Sequence, residues 1–389
     1  MRKYYIAVKQ VMNLSRLWLM GKLKTQHSVS CIESEGESNI GYYDLEACDL
    51  KNRYVAFTTG IDMRQSESVG IEVKINLYDL KTHDVSYLTS TNIWNSQLGS
   101  RLIWSNHDAN CLYFLYLHQG SIVTKAIDVL TKKEQLIKFE AFAESPRSKE
   151  LVGLCYARLF AARRGYGYVK DPLYALNESG LTSYDIKSKK SKILLSYSFL
   201  LEKINISYNS CSGIRINHIQ YSPSGMYLIF LLRYVTGGKN VSKMFLYGLS
   251  DESLVLMPFG DHISHACWMN NQEIIVWAAV DNKKLPAFYK YNIFSRSTKK
   301  LNIDKDGHPM PISDKTFICD TYNNENRQRE LFIYDLENDT KTRIGLFYSS
   351  LKYNGSKRCD LHPRMDRGRK RYFIDISMNG KRQVAHGTI

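Results

Sequence analysis

His218-Ile219-Gln220-Tyr221-Ser222-Pro223 opens a unit that continues with the apolar run 226–232, the stretch 243–249 and the shorter 254–258, each set off by a polar or glycine-containing turn. The same order returns with His265-Ala266-Cys267-Trp268, then 273–278, 287–293 and 298–303. It returns again at 308–312, 316–320, 330–336 and 340–346, and a last unit begins at His362 and stops short near Val384. Four short strands in a repeat of roughly 45 residues describe one blade of a β-propeller. Weaker copies lie upstream at 75–80 with 85–88, at 102–104 with 111–117, and at 181–186 with 191–196.

Seven units make an all-β, seven-bladed propeller, assigned to residues 27–389 as a single domain, with 1–26 as a short N-terminal segment, helical or extended. The last unit lacks an outer strand. Residues 28–33 are expected to supply it, closing the ring and removing an exposed sheet edge. The stretch 142–172 fits the blade pattern worst, because Arg158, Arg163, Arg164, Tyr166 and Tyr168 crowd around Gly165 and Gly167. It is read as a functional loop.

Composition agrees with strands. The 389 residues are 44% hydrophobic and include 27 Tyr and 15 Phe against only 8 Pro, and aromatic residues favour pleated, half-buried surfaces. A net charge of +15 favours polyanionic partners. The eight cysteines are widely scattered, with no Cys-x-x-Cys pair, and are read as reduced and structural. Lys9 and Arg16 interrupt any signal-peptide core, and no apolar run is long enough to span a bilayer. A cytoplasmic location is expected. Val8, Val11, Met12, Leu14, Trp18 and Leu19 could share one helix face, either docked on the propeller or in peripheral contact with a membrane.

Histidines open the last four units, at 218, 265, 308 and 362, spaced by 47, 43 and 54 residues. The first strand of a blade lines the channel, so equivalent positions in neighbouring blades point at one volume. Imidazole is both a ligand for divalent metals and a proton carrier near neutral pH. The plainer alternative is an internal hydrogen-bond network of the kind repeated in other propellers.

Arg101 stands at the matching position of the second unit, with Gln97 just before it. Asp306, Arg358 and Asp360 flank His308 and His362, while Asp320, Tyr322 and Arg233 end second strands. Together they suggest a channel mouth suited to hydroxylated, anionic ligands. Polar residues at such a mouth are expected to add little to blade packing. Gly-x-Gly-x-x-Gly, P-loop, Gly-x-Ser-x-Gly and His-Glu-x-x-His motifs are all missing, which argues against nucleotide-driven and serine-hydrolase chemistry. The basic charge is dispersed and no RNA-binding aromatic motif is present, so a glycan is favoured over nucleic acid.

At Gly41-Tyr42-Tyr43-Asp44, Trp94-Asn95-Ser96-Gln97, Arg164-Gly165-Tyr166-Gly167-Tyr168, Asn217-His218, Ser264-His265, Asp306-Gly307-His308-Pro309, Asp320-Thr321-Tyr322 and Arg358-Cys359-Asp360-Leu361-His362-Pro363, the chain resembles the oligogalacturonate-lyase-like and TolB-type propellers. Within that group it is most similar to bacterial propellers associated with polysaccharide loci. The resemblance implies a lyase acting on an acidic, uronate-containing glycan by metal-assisted β-elimination. It implies a divalent metal, manganese or calcium, at His265, His308 and His362, and a catalytic set of His218, Arg233 and Arg358. Tyr43, Gln97, Arg101, Arg163, Tyr166, Tyr168, Asp320, Tyr322 and Asp360 are the implied substrate-binding residues. The family's basic catalyst has no clear counterpart here, and the glutamine-histidine ligand group is not intact near His308. A noncatalytic propeller that holds a glycan or a partner protein during envelope polysaccharide production is the alternative.

Overall fold

A computed structural model describes residues 29–62, 67–168, 176–378 and 380–389, together with 11, 12 and 15. Apart from residues 11, 12 and 15, the expected N-terminal helical segment therefore lies outside the described residues. Seven four-stranded antiparallel sheets make a seven-bladed propeller. Their inner strands are Ser38–Asn39, Ile103–Trp104, Ala141–Glu144, Ser212–Tyr221, Ile263–Trp268, Met310–Pro311 and Arg364–Met365. In the seventh blade Arg364–Met365, Arg371–Met378 and Lys381–Thr388 come from the end of the chain, and the outer strand is Ser30–Cys31. Ser30 pairs with His386 and Cys31 with Ala385. The expected closure is thus present, and it leaves the seventh blade as fully paired as the other six.

A recurring turn explains why the repeat was visible. In blades one, two, three, five and six the third strand ends on Asp79, Asp128, Asp185, Asn292 or Asp335, whose side-chain oxygen accepts backbone N–H groups two or three residues on. Four residues after each comes a left-handed residue: His83, Lys132, Lys189, Arg296 and Asp339. Gly248 and Glu252 take the same places in the fourth blade. An aspartate that caps its own turn is cheap in this geometry, which accounts for the repeated Tyr-Asp signature.

The core lies between consecutive sheets. Ile75 and Leu77 of the first blade meet Leu112 and Phe114 of the second, and Cys267 and Ile275 meet Phe317 and Cys319 of the sixth. Phe373 and Val384 of the seventh blade pack on Val55 and Phe57 of the first, so the ring is closed by apolar contact as well as by strand pairing. Sheets buried on both faces need nearly continuous apolar strands, and Tyr227–Thr236 is one. All eight cysteines are unpaired. No helix among the described residues is long and apolar enough to cross a membrane.

The stretch 142–172 is not all loop. Ala141–Glu144 and Glu150–Gly153 are the two inner strands of the third blade, and the next strand begins only at Gly180. The insertion between them carries the helix Tyr156–Ala162 and the turn that follows it. Gly167 is packed so tightly on this helix that a Cβ there would lie 2.2 Å from the Phe160 backbone nitrogen, so the turn is fixed on the helix by a contact only glycine permits.

Candidate functional site

His218 lies in a bulge of its inner strand, between the pairs Asn217–Leu231 and Gln220–Ile229, with φ +54°. His362 (φ +46°) and Arg101 (φ +53°) share this left-handed backbone at the start of their blades. Such a backbone is unusual for side-chain-bearing residues and re-aims the side chain. Across the channel the rings form a chain: His218 to His265 at 5.3 Å between centroids, His265 to His308 at 4.3 Å, and His308 to His362 at 4.4 Å. Tyr42, which follows the inner strand of the first blade, stands on the axis. Its ring centroid is 5.5 Å from His218, 5.8 Å from His308 and 4.6 Å from His362.

The four histidines are not at an open mouth, as the sequence suggested, but inside the channel, 0–5% exposed. The third-blade insertion covers them. Tyr168 donates its hydroxyl to Gly99 O at 2.9 Å, Asn95 Nδ2 donates to Gly167 O, and Arg358 Nη2 donates to Tyr166 Oη at 2.6 Å. Below, Tyr43 donates to Ala266 O at 3.0 Å across the channel. The result is a buried cluster of imidazoles, a chamber in outline only, with Tyr43 as its floor and Tyr166 in its roof. Arg163, Arg233, Tyr322, Asp306 and Arg358 are only partly buried and line its rim.

Carboxylates fix two of the four imidazoles, His265 and His308. The Nδ1–H of His308 donates to Asp320 Oδ1 at 2.8 Å, and Asp320 Oδ2 accepts the His362 N–H at 3.1 Å. Nδ1 of His265 lies 3.0 Å from Asp306 Oδ1 and 2.8 Å from Ser264 Oγ. Burial, reinforced by neighbouring cations and imidazoles, holds the pKa of His218, His265 and His362 well below the usual value, so these three are neutral. Burial also opposes charge on His308, but Asp320 outweighs it and raises that imidazole. Asp360 accepts from Arg329 at 2.9 Å and from Arg358 Nε. Although burial opposes ionisation, the two guanidinium groups hold its carboxyl well below the usual range.

The expected metal ligands are brought close, with a different grouping. His308, Asp360 and His362 can each offer one ligand atom within 4.8 Å of the others, while His265 stands beside them. The donors suit a divalent cation: His308 Nε2 and both ring nitrogens of His362 are buried without a partner, and the Asp320–His308 hydrogen bond points a lone pair into the chamber in the manner of a carboxylate–histidine–metal triad.

Several other residues with implied roles also meet at the chamber. The ring of Tyr43 is 5.1 Å from His308, Tyr322 is 5.6 Å from His308, and the Arg163 guanidinium lies 4.4 Å over Tyr166. Gln97 Nε2 donates to Arg358 O, and Arg233 Nη2 donates to Ile263 O and Ser264 O. Burial would raise the Tyr166 phenol, but Arg163 and Arg358 overcome it and lower its pKa. Asp320 is fully enclosed and faces its histidines rather than a ligand.

Two more residues expected to bind substrate are spent elsewhere. Arg101 is fully buried, forms a two-point ion pair with Asp44 at 2.7 and 3.0 Å, donates Nε to Phe142 O and stacks on the Phe142 ring. Tyr168 is buried against Tyr156 and donates to backbone. The expectation that these polar residues matter little to packing gives way for the same reason: they are enclosed and bonded. Sequence reasoning missed Tyr42, Arg329 and Arg215. Arg215 sits three residues before His218, and burial together with Arg233 and Arg163 pushes its pKa down to about 10. Tyr42 lay within a quoted stretch, but nothing in the sequence places it on the axis.

The fold and site define a seven-bladed propeller with a capped, histidine-lined channel. No protein-family model and no curated protein matches the chain. Among solved structures it is similar to an oligogalacturonate lyase in complex with manganese, at 14% identity over 94% of each chain with a TM-score of 0.68. It is also similar to the oligogalacturonate lyase of Vibrio parahaemolyticus, at 12% identity over 94% of this chain and 95% of that one, TM-score 0.66. The β-propeller domain of the Trilobed protease from Pyrococcus furiosus matches 86% of this chain and 92% of its own at 10% identity, TM-score 0.52. Likeness at these identities is a likeness of fold, shared by lyases and peptidase propellers.

Proposed function

We propose that the capped chamber acts on an acidic, uronate-containing oligosaccharide and cleaves it by β-elimination. The observation that carries this reading is the pairing of neutral histidines with arginines that lack an acidic partner. Arg163, Arg215 and Arg233 form no ion pair among the described residues, and Arg163 and Arg233 both lower the pKa of Arg215 and of His218. Cations held together without counter-charge favour an anion, and guanidinium suits a carboxylate.

Arg163 and Arg233 then hold the uronate carboxylate at the rim, with His218 and Tyr322 beside the sugar. His265, its Nδ1 fixed by Asp306, receives the proton from the carbon next to the carboxylate. The electron pair left behind forms the C4=C5 double bond as the C4–O bond breaks, and the departing oxygen takes a proton from water. Bound by His308, His362 and Asp360, a divalent cation such as manganese or calcium would neutralise charge on the carboxylate and on the developing carbanion. The lyase-like fold at 94% coverage supports the reading, and a cytoplasmic bacterial setting in polysaccharide metabolism is proposed with it.

One observation favours a second reading, a noncatalytic glycan-holding or scaffolding propeller. Asp360 is already satisfied by Arg329 and Arg358 and needs no cation. Incubating the full chain with short oligogalacturonates and manganese, while following ultraviolet absorbance of an unsaturated uronate, separates the two. Growth of that absorbance, lost in His265→Ala, is the expected result. Saturable binding with no absorbance change would replace the enzyme by the holder.

A further inference from the structure

The same inner strands that begin at the histidines end at a second cavity. Tyr221 lies beyond His218, Trp268 beyond His265, and Trp104 beyond Arg101, and all three line a pocket of ≈ 340 Å³ on the other side of Tyr43. We infer that this opposite end of the channel is a separate binding site for a small organic carboxylate of about one sugar ring. The inference is independent of the proposed lyase activity.

Buried donors carry it. Arg367 and Arg369 both line the pocket. Arg367 Nη1 donates to Asn106 Oδ1 at 3.1 Å and Arg369 Nη2 to Glu46 Oε1 at 2.6 Å, but Arg367 Nη2, Arg369 Nη1 and the Tyr221 hydroxyl are buried without a partner. Buried donor atoms left unsatisfied are costly, and an anion that reaches them removes that cost. The arginines start from a rigid turn. Asp366 Oδ1 accepts the N–H groups of Lys370 and Arg371, and Asn52 ties Arg367 N to Asp366 Oδ2. Little freedom is therefore lost when a ligand arrives.

The carboxylates in the wall do not cancel these donors. Asp44 is engaged at two points by Arg101. The oxygens of Glu144 accept from Ser105, Tyr113 and the Asn106 N–H. Glu46 competes directly: Oε1 accepts from Arg369, and Oε2 is buried without a partner. The indole N–H groups of Trp104 and Trp268 are spent on Ala47 O and Gln220 O, so the indoles present apolar surface, as the body of a sugar acid requires. The volume is at the small end of ligand pockets, enough for a monosaccharide.

The test is titration of the full chain with D-galacturonate and, separately, with galactose, following the indole N–H resonances of Trp104 and Trp268 assigned through Trp→Phe variants. Galacturonate is expected to move both resonances saturably and galactose to leave them in place. Arg367→Ala and Arg369→Ala should each weaken the effect about tenfold or more, Glu46→Gln should strengthen it by freeing Arg369, and Arg233→Ala in the histidine chamber should leave it unchanged. If an arginine variant does not fold, Glu46→Gln decides: tighter binding supports the site, and unchanged or weaker binding overturns it. An absent response in the unmodified chain, an equal response to galactose, or persistence in both arginine variants also overturns it.

Discussion

Asp320 holds His308 twice through one oxygen: Oδ1 accepts both the backbone N–H and the Nδ1–H of His308 at 2.8 Å. Its other oxygen reaches the His362 N–H in the next blade. Asp320→Asn replaces one acceptor by a donor facing a donor. We expect a loss of about 3 kcal/mol in urea unfolding and, for manganese followed by calorimetry, an affinity about 10–100-fold lower. Unchanged values for both would mean that the side chain is not what positions these imidazoles.

Arg101 and Arg358 separate a structural from a functional guanidinium. Arg101→Lys cannot reproduce the two-point pair with Asp44 or the stack on Phe142. It should cost about 2–4 kcal/mol of stability while leaving glycan affinity per folded molecule intact. Arg358→Ala leaves Asp360 with Arg329 and should cost about 1–3 kcal/mol, but it also removes the donor to Tyr166 and should abolish glycan binding. Thermal melts and calorimetry on both variants give the comparison.

Glu140 makes stability depend on pH. Burial pushes its carboxyl up to about 7, against the opposing hydrogen bond from Tyr156 N. A carboxyl raised in the folded state binds its proton more tightly there, so folding loses stability as pH rises from the unfolded value through about 7. Glu140→Gln resembles the protonated form. Discounted for partial exposure, it should stabilise the chain by roughly 1–2 kcal/mol at pH 8 and by nothing at pH 4, in urea titrations at the two pH values.

Gly167 ties the roof of the chamber to its supporting helix. A methyl group there would meet the Phe160 N and Tyr156 O backbone atoms, which can move only together with the helix. Gly167→Ala should lower stability by about 2–4 kcal/mol and open the insertion to limited proteolysis near Arg163. A variant as protease-resistant as the parent would show that the turn can shift without lifting the roof.

The blades were legible because five of the seven third strands close on a self-capping polar residue and each of the last four units opens on histidine, so local chemistry repeats with the fold. The first blade was fainter because its inner strand is only Ser38–Asn39 and its third strand, Glu67–Asp79, carries register shifts against its neighbour. Position in the repeat put Arg101 beside the histidines. Its partner Asp44 lies 57 residues earlier, and no local pattern announces such a pairing. The roof was invisible for a similar reason: Arg163 to Tyr168 read only as a functional loop, whereas Gly99, Asn95 and Arg358, distant in sequence, hold it in place. Burial is set by these long-range contacts, and it converts an expected rim into an interior.

Tyr43 bonds across the channel to Ala266, with Tyr42 standing on the axis above it. A toroid blocked in this way is dead-ended at its middle rather than a tunnel. A polymer cannot be threaded through it, so on the proposed activity whatever reaches the histidines arrives and leaves from one side. On the proposed activity, that geometry selects chain ends and short fragments over the middle of a long polysaccharide, because only a terminus can reach the dead end.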